Sequence, residues 1–435
     1  MSERSFVIDP RDWITQPFTT CPFCGEELFG LLMVSRHGYV KRCRGCMKDE
    51  QFGLPVIEKR VLYLDQFAVS NLMKVLHPKH RYRIERRGDA EERFWLDLFD
   101  RLDRLVKLQV LVCPHSDAHW EESFLAPQHE ELRRMYEHLA GDVRFADPGM
   151  VKRGQVLRVF EAWLDPGADR GPVPRRNVLA GNTDGWNDKL QVEARLDLDP
   201  GTAEALRAAR AERHDGLGRA ARVWRENPRR GFNAYFRAEV AAYGEAELQA
   251  YGKRLQTFVN VIDGRRQPDA DLVLATDSQI LIMQMRDKLL ERGVSHEEQI
   301  GKLREFFTSD AMVQIPFLRI GAGMFAALAV KSSLQQAPDP NRGMVTDINV
   351  VSTYLPYCDA MVVDSECADL LADADRELNL GYRAEVFSNR SREELLHWLA
   401  GIEESIPSDH VDLVEQVYGK TWQRPYREIF ATAES

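Results

Sequence analysis

The chain has 435 residues, 44% of them hydrophobic and 29% charged, and its net charge at pH 7 is −10. That composition is typical of a globular protein with two or three domains, and the net charge argues against a generic nucleic-acid coat protein. No positively charged start with an apolar core opens the sequence, so we expect no secretory signal, and the longest apolar run, residues 320–330, is shorter than the roughly 18 residues of a membrane span. We therefore expect a cytoplasmic protein that does not enter a membrane.

Four of the seven cysteines form two closely spaced pairs near the start of the chain. Cys21 and Cys24 make one C-x-x-C pair, Cys43 and Cys46 make the other, and 18 residues separate the pairs. Two such turns can point four thiolates at one cation, as structural zinc sites do, whereas a cytoplasmic setting disfavours the alternative of two disulfides. No strand–helix unit follows either pair, as a redox motif would require. Residues 1–55 therefore resemble a zinc ribbon with a structural Zn²⁺, a module that often binds nucleic acid or protein.

Residues 56–125 alternate between predicted strands and helices. Four apolar residues at 61–64 indicate a buried strand, Asp65 follows directly, and residues 66–76 have the spacing of an amphipathic helix. An acid at the end of a buried strand either caps the next helix or belongs to a site. The further predicted elements are a helix at 94–108, a strand at 109–116 and a helix that begins after the N-cap Ser116.

Residues 126–339 are predicted to be mostly helical, with loop-like interruptions at 165–176 and 266–271. Within this segment, residues 201–230 carry eight arginines against four acidic residues. Such a stretch is either a solvated helix face or a groove that follows a phosphate backbone. The arginines are Arg207, Arg210, Arg213, Arg219, Arg222, Arg225, Arg229 and Arg230.

Residues 340–435 return to the alternating pattern. The predicted elements are a helix at 348–355 after Asp347, a strand at 360–363, a helix after Asp364 and a strand at 383–388. Strands that alternate with helices indicate a parallel sheet, in which ligands bind beyond the carboxyl ends of the strands. Since Asp65 and Asp364 both follow strands, we expect them to meet at one edge of the sheet.

The positions of the acids give the chain a resemblance to the PIN-like nuclease family. The resemblance covers residues 56–125 and 340–395. It implies an α/β fold with a Rossmann-like parallel sheet of PIN type, into which residues 126–339 are inserted as a large helical subdomain. It also implies hydrolysis of phosphodiester bonds, most often in RNA, with Mg²⁺ or Mn²⁺ held by three to five carboxylates. The matching residues are Asp65 after its strand, an acid in the helix after Ser116, Thr346-Asp347, and the run from Cys358 to Asp364.

The resemblance assigns catalytic roles to five acidic residues. Asp65 and Asp347 are the expected direct ligands of the ion, and the other three bind it directly or through water. Glu121 is a close second to Glu122 as the helical acid. The chain departs from the family pattern in its long middle segment and in lacking the usual Thr-x-Asp at the last acid. The five residues are Asp65, Glu122, Asp347, Asp359 and Asp364.

The same residues allow other interpretations of the acids and of the whole chain. Each acid alone could cap a helix, and His119 is expected to be structural rather than a proton donor. Haloacid-dehalogenase-like phosphatases also place an Asp after the first strand, but they need a second Asp where this chain has Phe67. The non-enzymatic alternative is a catalytically inactive adaptor that binds nucleic acid, or a protein partner through the ribbon or the helical segment. Residue types do not decide between RNA and DNA, the oligomeric state, or a role as toxin, anti-phage effector or RNA-processing factor.

Overall fold

A computed structural model describes residues 9–124, 126–168, 172–187, 200–226, 228, 231–267, 275–334, 343–420 and 424–430. The strands in chain order are β1 Thr15–Thr19, β2 Phe29–Ser35, β3 Gly38–Cys43, β4 Asp49–Gly53, β5 Arg60–Leu64, β6 Leu111–Val112, β7 Arg144–Phe145, β8 Leu179–Ala180, β9 Ala360–Val362 and β10 Glu385–Phe387. The helices are α1 Gln66–Leu76, α2 Tyr82–Glu85, α3 Asp89–Lys107, α4 Asp117–Phe124, α5 His129–Ala140, α6 Pro148–Leu164, α7 Pro200–Glu226, α8 Phe232–Ile262, α9 Asp277–Glu291, α10 His296–Phe307, α11 Pro316–Ser333, α12 Met344–Tyr354, α13 Ser365–Leu378, α14 Arg392–Glu404 and α15 Ser408–Tyr418.

The N-terminal strands form an antiparallel sheet in the order β1-β2-β3-β4. Phe29 of β2 is buried with Cys21 and Cys43 inside the N-terminal segment, but other apolar residues of this sheet pack outside it. Leu31, Val34 and Tyr39 of this sheet pack in one buried cluster with Val414 and Val417 of α15. The N-terminal sheet is therefore attached to the rest of the protein by the last helix of the described chain.

The second sheet is parallel, with the strand order β10-β9-β5-β6. A parallel bridge between His115 and Arg144 attaches β7 beyond β6. The five strands of this sheet, in chain order, are β5, β6, β7, β9 and β10. If they are renumbered 1 to 5, their order across the sheet is 5-4-1-2-3, which is the order of the first five strands of a Rossmann sheet. Strands β6 and β7 are added on one side of β5, and β9 and β10 are added on its other side. The topological switch point therefore lies between β5 and β9.

Helices cover both faces of the parallel sheet, because alternate side chains of β5 enter two different cores. Leu62 and Leu64 pack with residues of α1, α3, α5 and α14. Val61 and Tyr63 pack with residues of α6 to α13 on the other face. Strands that are buried on both faces give the continuous apolar sequence seen at residues 61–64.

The most apolar helix, α11, lies in the core on the second face. It contacts α7, α8, α12 and α13, and most of its side chains are buried. The apolar run at 320–330 is thus accounted for by packing within the protein. Across the ranges that the structure describes, no helix has the length and apolarity needed to cross a bilayer.

The predicted mixed α/β fold with a parallel sheet is confirmed, and several boundaries differ. Helix α1 matches its prediction, while the strand expected at 109–116 is reduced to Leu111–Val112. Helix α12 begins at Met344 instead of residue 348. The parallel layer also reaches further along the chain than the boundary expected at residue 125, because α5 packs on α1 and α3 and β7 joins the sheet edge.

Candidate functional site

The four N-terminal cysteines converge on one point. The Sγ atoms of Cys21 and Cys46 are 3.7 Å apart, and those of Cys24 and Cys43 are 3.6 Å apart. All four sulfurs lie within 4.8 Å of one another, and none forms a disulfide. Four sulfurs bound to zinc at about 2.3 Å in a tetrahedron would be roughly 3.8 Å apart. The cluster can therefore bind a metal such as zinc with almost no movement of its ligands.

Two matching backbone turns hold the cysteines in this arrangement. The amide of Gly25 donates to the carbonyl of Cys21, and the amide of Met47 donates to the carbonyl of Cys43. Gly25 has φ +80° and Met47 has φ +59°, so both residues just after a C-x-x-C pair are left-handed. A glycine adopts this conformation without steric cost, whereas methionine does not. Gly45, the other glycine of these turns, lies so close to the carboxylate of Glu26 that a Cβ atom would collide with it.

The surroundings of the thiols differ from one cysteine to the next. Burial raises the pKa of Cys21, but hydrogen bonds from the amides of Phe23 and Cys24 and from neighbouring thiols outweigh it, so the pKa falls to about 7. The amide of Glu26 lowers the pKa of Cys24, but burial and the other three thiols raise it to about 12. The thiolate is the form that binds a metal, and Cys21 is the first of this pair to reach it.

A second group of side chains gathers at the carboxyl ends of β5 and β9. Asp65 follows β5 and Asp364 lies just beyond β9, and the two strands are neighbours with Leu64 beside Val362. The amide of Asp65 donates to the carbonyl of Val362 at 2.9 Å. This is the topological switch point of the sheet, where ligands bind in open α/β folds.

Asp65 and Asp364 also cap the helices that follow them. The carboxylate of Asp65 accepts a hydrogen bond from the amide of Gln66 at 2.7 Å, and that of Asp364 accepts one from the amide of Cys367 at 2.7 Å. The capping interpretation therefore holds for these two residues, and a carboxylate that caps a helix can also take part in a site. Asp347 is different, because it lies inside the first turn of α12 and does not cap it.

Electrostatic effects show which acids lie near one another. Burial raises the pKa of Asp65 to about 7, the charges of Glu122 and Asp364 add to this rise, and the amide of Gln66 opposes it. Burial also raises the pKa of the Cys367 thiol, with further contributions from Asp364, Asp347, Asp65 and Glu366. We call Asp65, Glu122, Asp347 and Asp364 the acidic cluster. Glu366 is a neighbouring acid that sequence reasoning missed, although it lies only two residues after Asp364.

The spacing within the acidic cluster is wider than in a closed metal site. Among the described residues, two groups bring three or more ligand atoms within 4.8 Å of one another: the four cysteines, and His77 with His80 and Glu131. No three carboxylates of the acidic cluster reach that mutual spacing. Carboxylates about 4 Å apart repel by roughly 4 kcal/mol per pair at an effective dielectric near 20, so a wider spacing is expected without a cation. The oxygen-only donor set is nevertheless the one that Mg²⁺ and Mn²⁺ prefer.

Asp359 does not belong to the acidic cluster, which corrects the sequence-based assignment. It precedes β9 and lies at the amino edge of the sheet, where its carboxylate accepts a hydrogen bond from the amide of Val61 at 2.7 Å. It also forms ion pairs with Arg175 at 2.6 Å and Arg60 at 3.3 Å. Five extended residues span roughly 16 Å, so Asp359 and Asp364 cannot share one end of the strand between them.

The two glutamates of α4 have different environments. Glu121 forms an ion pair with Arg213 of α7 at 3.1 Å and is about two-fifths exposed, whereas Glu122 raises the pKa of Asp65. The contact with Arg213 brings the arginine-rich helix α7 beside α4. Arg207, Arg219 and Arg222 of α7 are exposed. Arg229 and Arg230 lie outside the described residues.

His119 is a structural residue. It is 2% exposed, its ring stacks on Tyr63 with centroids 4.9 Å apart, and its Nδ1 accepts a hydrogen bond from the amide of Ser116 at 3.1 Å. Burial lowers the pKa of His119 to about 3, and the nearby His115 adds to this effect. The hydrogen bond to the amide of Ser116 makes His119 part of the start of α4.

Comparison with known proteins adds no relative. No protein-family model matches the sequence, and neither the curated proteins nor the solved structures compared with it give a match. The function is therefore inferred from the two clusters themselves: a cysteine site that can bind a metal such as zinc, and an acidic cluster at the switch point of a parallel sheet.

Proposed function

We propose that the chain is a metal-dependent nuclease with a PIN-like fold, and that it hydrolyses phosphodiester bonds in RNA. The observation that carries this proposal is the convergence of carboxylates from β5, α4, α12 and β9. Charged groups that repel one another are retained in a folded protein when a cation or a proton neutralises them. The pKa of Asp65, raised to about 7 by burial and by Glu122 and Asp364, is the mark of such a cluster.

The position of the cluster in the fold supports the proposal. Carboxylates at the carboxyl edge of a parallel sheet, on the two strands that flank the switch point, lie where an α/β enzyme binds its ligand. Helices α1 and α13 begin directly after their N-caps Asp65 and Asp364, so their amino ends face the same edge. Helix amino ends attract phosphate groups.

The proposed ion is Mg²⁺ or Mn²⁺. Asp65 and Asp347 would hold it directly, with Glu122 and Asp364 binding directly or through water. When bound, such an ion lowers the pKa of a water molecule and stabilises negative charge on the leaving oxygen. The carboxylates have to move closer together around it, and removal of their mutual repulsion favours that movement.

Arg213 and the exposed arginines of α7 offer a surface for the rest of the nucleic acid. Arg213 lies beside α4, so a strand whose scissile phosphate is at the acidic cluster would pass α7 at this residue. The overall charge of −10 does not conflict with this, because the positive charge is local. Binding through α7 should weaken as salt concentration rises.

The proposal is tested by incubating the purified chain with labelled single-stranded RNA and DNA, in Mn²⁺ or in EDTA. We expect cleavage of RNA that EDTA abolishes. Glu122→Gln should reduce the cleavage rate at least tenfold, because the variant removes one charge from the cluster. Glu121→Gln, the neighbouring change on the same helix, is the matched control and should retain cleavage. Equal loss in both variants, or cleavage that persists in EDTA, would contradict the assignment.

One observation favours a second candidate function. The cysteines already have the spacing of a metal site, whereas the acidic cluster does not. An inactive adaptor that binds RNA or protein through its zinc ribbon would have these properties. In that case the RNA assay would show binding without cleavage, and Cys24→Ser would abolish the binding.

A further inference from the structure

We propose that His77, His80 and Glu131 form a second transition-metal site, suited to Zn²⁺ and separate from both the ribbon and the acidic cluster. One ligand atom from each residue lies within 4.8 Å of those of the other two. The two imidazole rings are adjacent, with centroids 4.7 Å apart. Two histidines and one carboxylate are a recurring ligand set for zinc, with a fourth position open to water.

The three residues come from two separate elements. His77 is the C-cap of α1 and His80 lies in the turn that follows, while Glu131 is in the first turn of α5. Helix α1 has 11 residues, so its far end is roughly 17 Å from Asp65 at 1.5 Å per residue. An ion at this position would join the carboxyl end of α1 to the start of α5 and could not also bind the acidic cluster.

The histidine nitrogens are suited to coordination. Nδ1 of His80 is buried and, within the described part of the chain, has no hydrogen-bond partner. A buried nitrogen of this kind loses its hydration without compensation, and a metal bond would supply the missing partner. Nδ1 of His77 accepts a hydrogen bond from the amide of Lys79 at 3.1 Å. That nitrogen therefore carries a lone pair. If the lone pair bound an ion, the hydrogen bond from the amide of Lys79 would be lost.

The local charges narrow the choice of ion. His80 has Lys74 and Arg83 as positively charged neighbours and Glu131 as a negatively charged one. Neutral imidazole is the form that binds a metal. Nearby Lys74 and Arg83 disfavour a cation held by charge alone, as Mg²⁺ or Ca²⁺ would be. Imidazole ligands favour Zn²⁺, whose bonds to nitrogen do not depend on an excess of carboxylates.

The test is calorimetric titration of Zn²⁺ into the full chain with its ribbon already loaded with zinc. We expect one further binding event in the parent protein. It should be lost or weakened at least tenfold in His80→Asn and in Glu131→Gln. His129→Asn and Glu130→Gln are matched controls, since both residues lie at the start of α5 with about half of the side chain exposed, and these variants should bind like the parent.

A second measurement separates this site from the ribbon. Co²⁺ bound by thiolates gives strong charge-transfer absorption, whereas Co²⁺ bound by two histidines and a glutamate does not. The further site should therefore bind Co²⁺ without producing that absorption. The Cys24→Ser variant should still bind Co²⁺ at the further site. Absence of a further binding event in the parent, or unchanged binding in both His80→Asn and Glu131→Gln, would overturn the proposal. Neither result depends on nuclease activity.

Discussion

The ribbon cysteines and the acidic cluster are both sets of four side chains, but they form by opposite routes. The cysteines come from two tight turns separated by one hairpin, and their sulfurs approach to 3.6 and 3.7 Å. The carboxylates come from four elements spread over about 300 residues, and no three of them reach a mutual spacing of 4.8 Å. Protonated thiols can touch without an ion, whereas carboxylates repel until a cation or a proton intervenes. Local turn geometry therefore explains the first site, and sheet topology with charge balance explains the second.

The largest expected effect is that of a substitution at the four-cysteine site. Cys24→Ser should abolish metal binding by the ribbon and unfold the sheet β1–β4, because structural zinc supplies on the order of 10 kcal/mol to such small modules. Metal analysis measures the loss of zinc, and proteolysis measures exposure of residues 9–53. The parallel sheet should stay folded, since its two cores include none of the four N-terminal cysteines. Full zinc content in the variant would show that the four sulfurs are not the ligands.

A smaller effect on stability is expected from the acidic cluster when divalent cations are removed. The carboxyl of Asp65 ionises near 3.8 in the unfolded chain and near 7 in the folded one, so stability should fall as pH rises through that window. Asp65→Asn keeps an oxygen to accept the hydrogen bond from the amide of Gln66 but removes the charge. In EDTA at pH 8 it should therefore be more stable than the parent, by about 1–3 kcal/mol after allowance for solvent screening.

Urea denaturation at several pH values, with and without Mn²⁺, measures this difference. Saturating Mn²⁺ should stabilise the parent and leave Asp65→Asn almost unchanged. Asp97→Asn, at an exposed acid on α3, serves as the control and should show neither effect. A parent protein whose stability is flat between pH 4 and pH 7 in EDTA would contradict the raised pKa.

The smallest expected effect concerns the acid at the other edge of the sheet. Asp359→Asn should cost about 1–2 kcal/mol of stability, because it weakens charge-assisted hydrogen bonds with Arg175 and the amide of Val61. It should leave Mn²⁺ affinity unchanged. Thermal unfolding measures the first quantity and calorimetry the second. Loss of Mn²⁺ binding in this variant would show that Asp359 belongs to the metal site after all.

The sequence was informative where a local pattern determines the structure. Helix α1, its capping Asp65 and the four cysteines follow from spacing alone, and all three are present in the structure. Asp359 was misassigned, although its position before a strand already indicates the opposite edge of the sheet. The sequence patterns missed α5 and β7 as parts of the parallel layer, because an amphipathic helix does not reveal which neighbour it packs against. Glu366 was missed for a similar reason, since a helical acid shows its direction only after the helix is docked.

The hydrogen bond from Asp65 to Val362 joins the first third of the polypeptide to its last fifth. During synthesis, β5 leaves the ribosome long before its neighbour β9 exists, so a nascent chain carries Asp65 and Glu122 without Asp347 and Asp364. Chains interrupted before α12 would lack the same two carboxylates. If the finished protein cuts RNA, this order of assembly keeps the nascent chain inactive until α12 and β9 have been made.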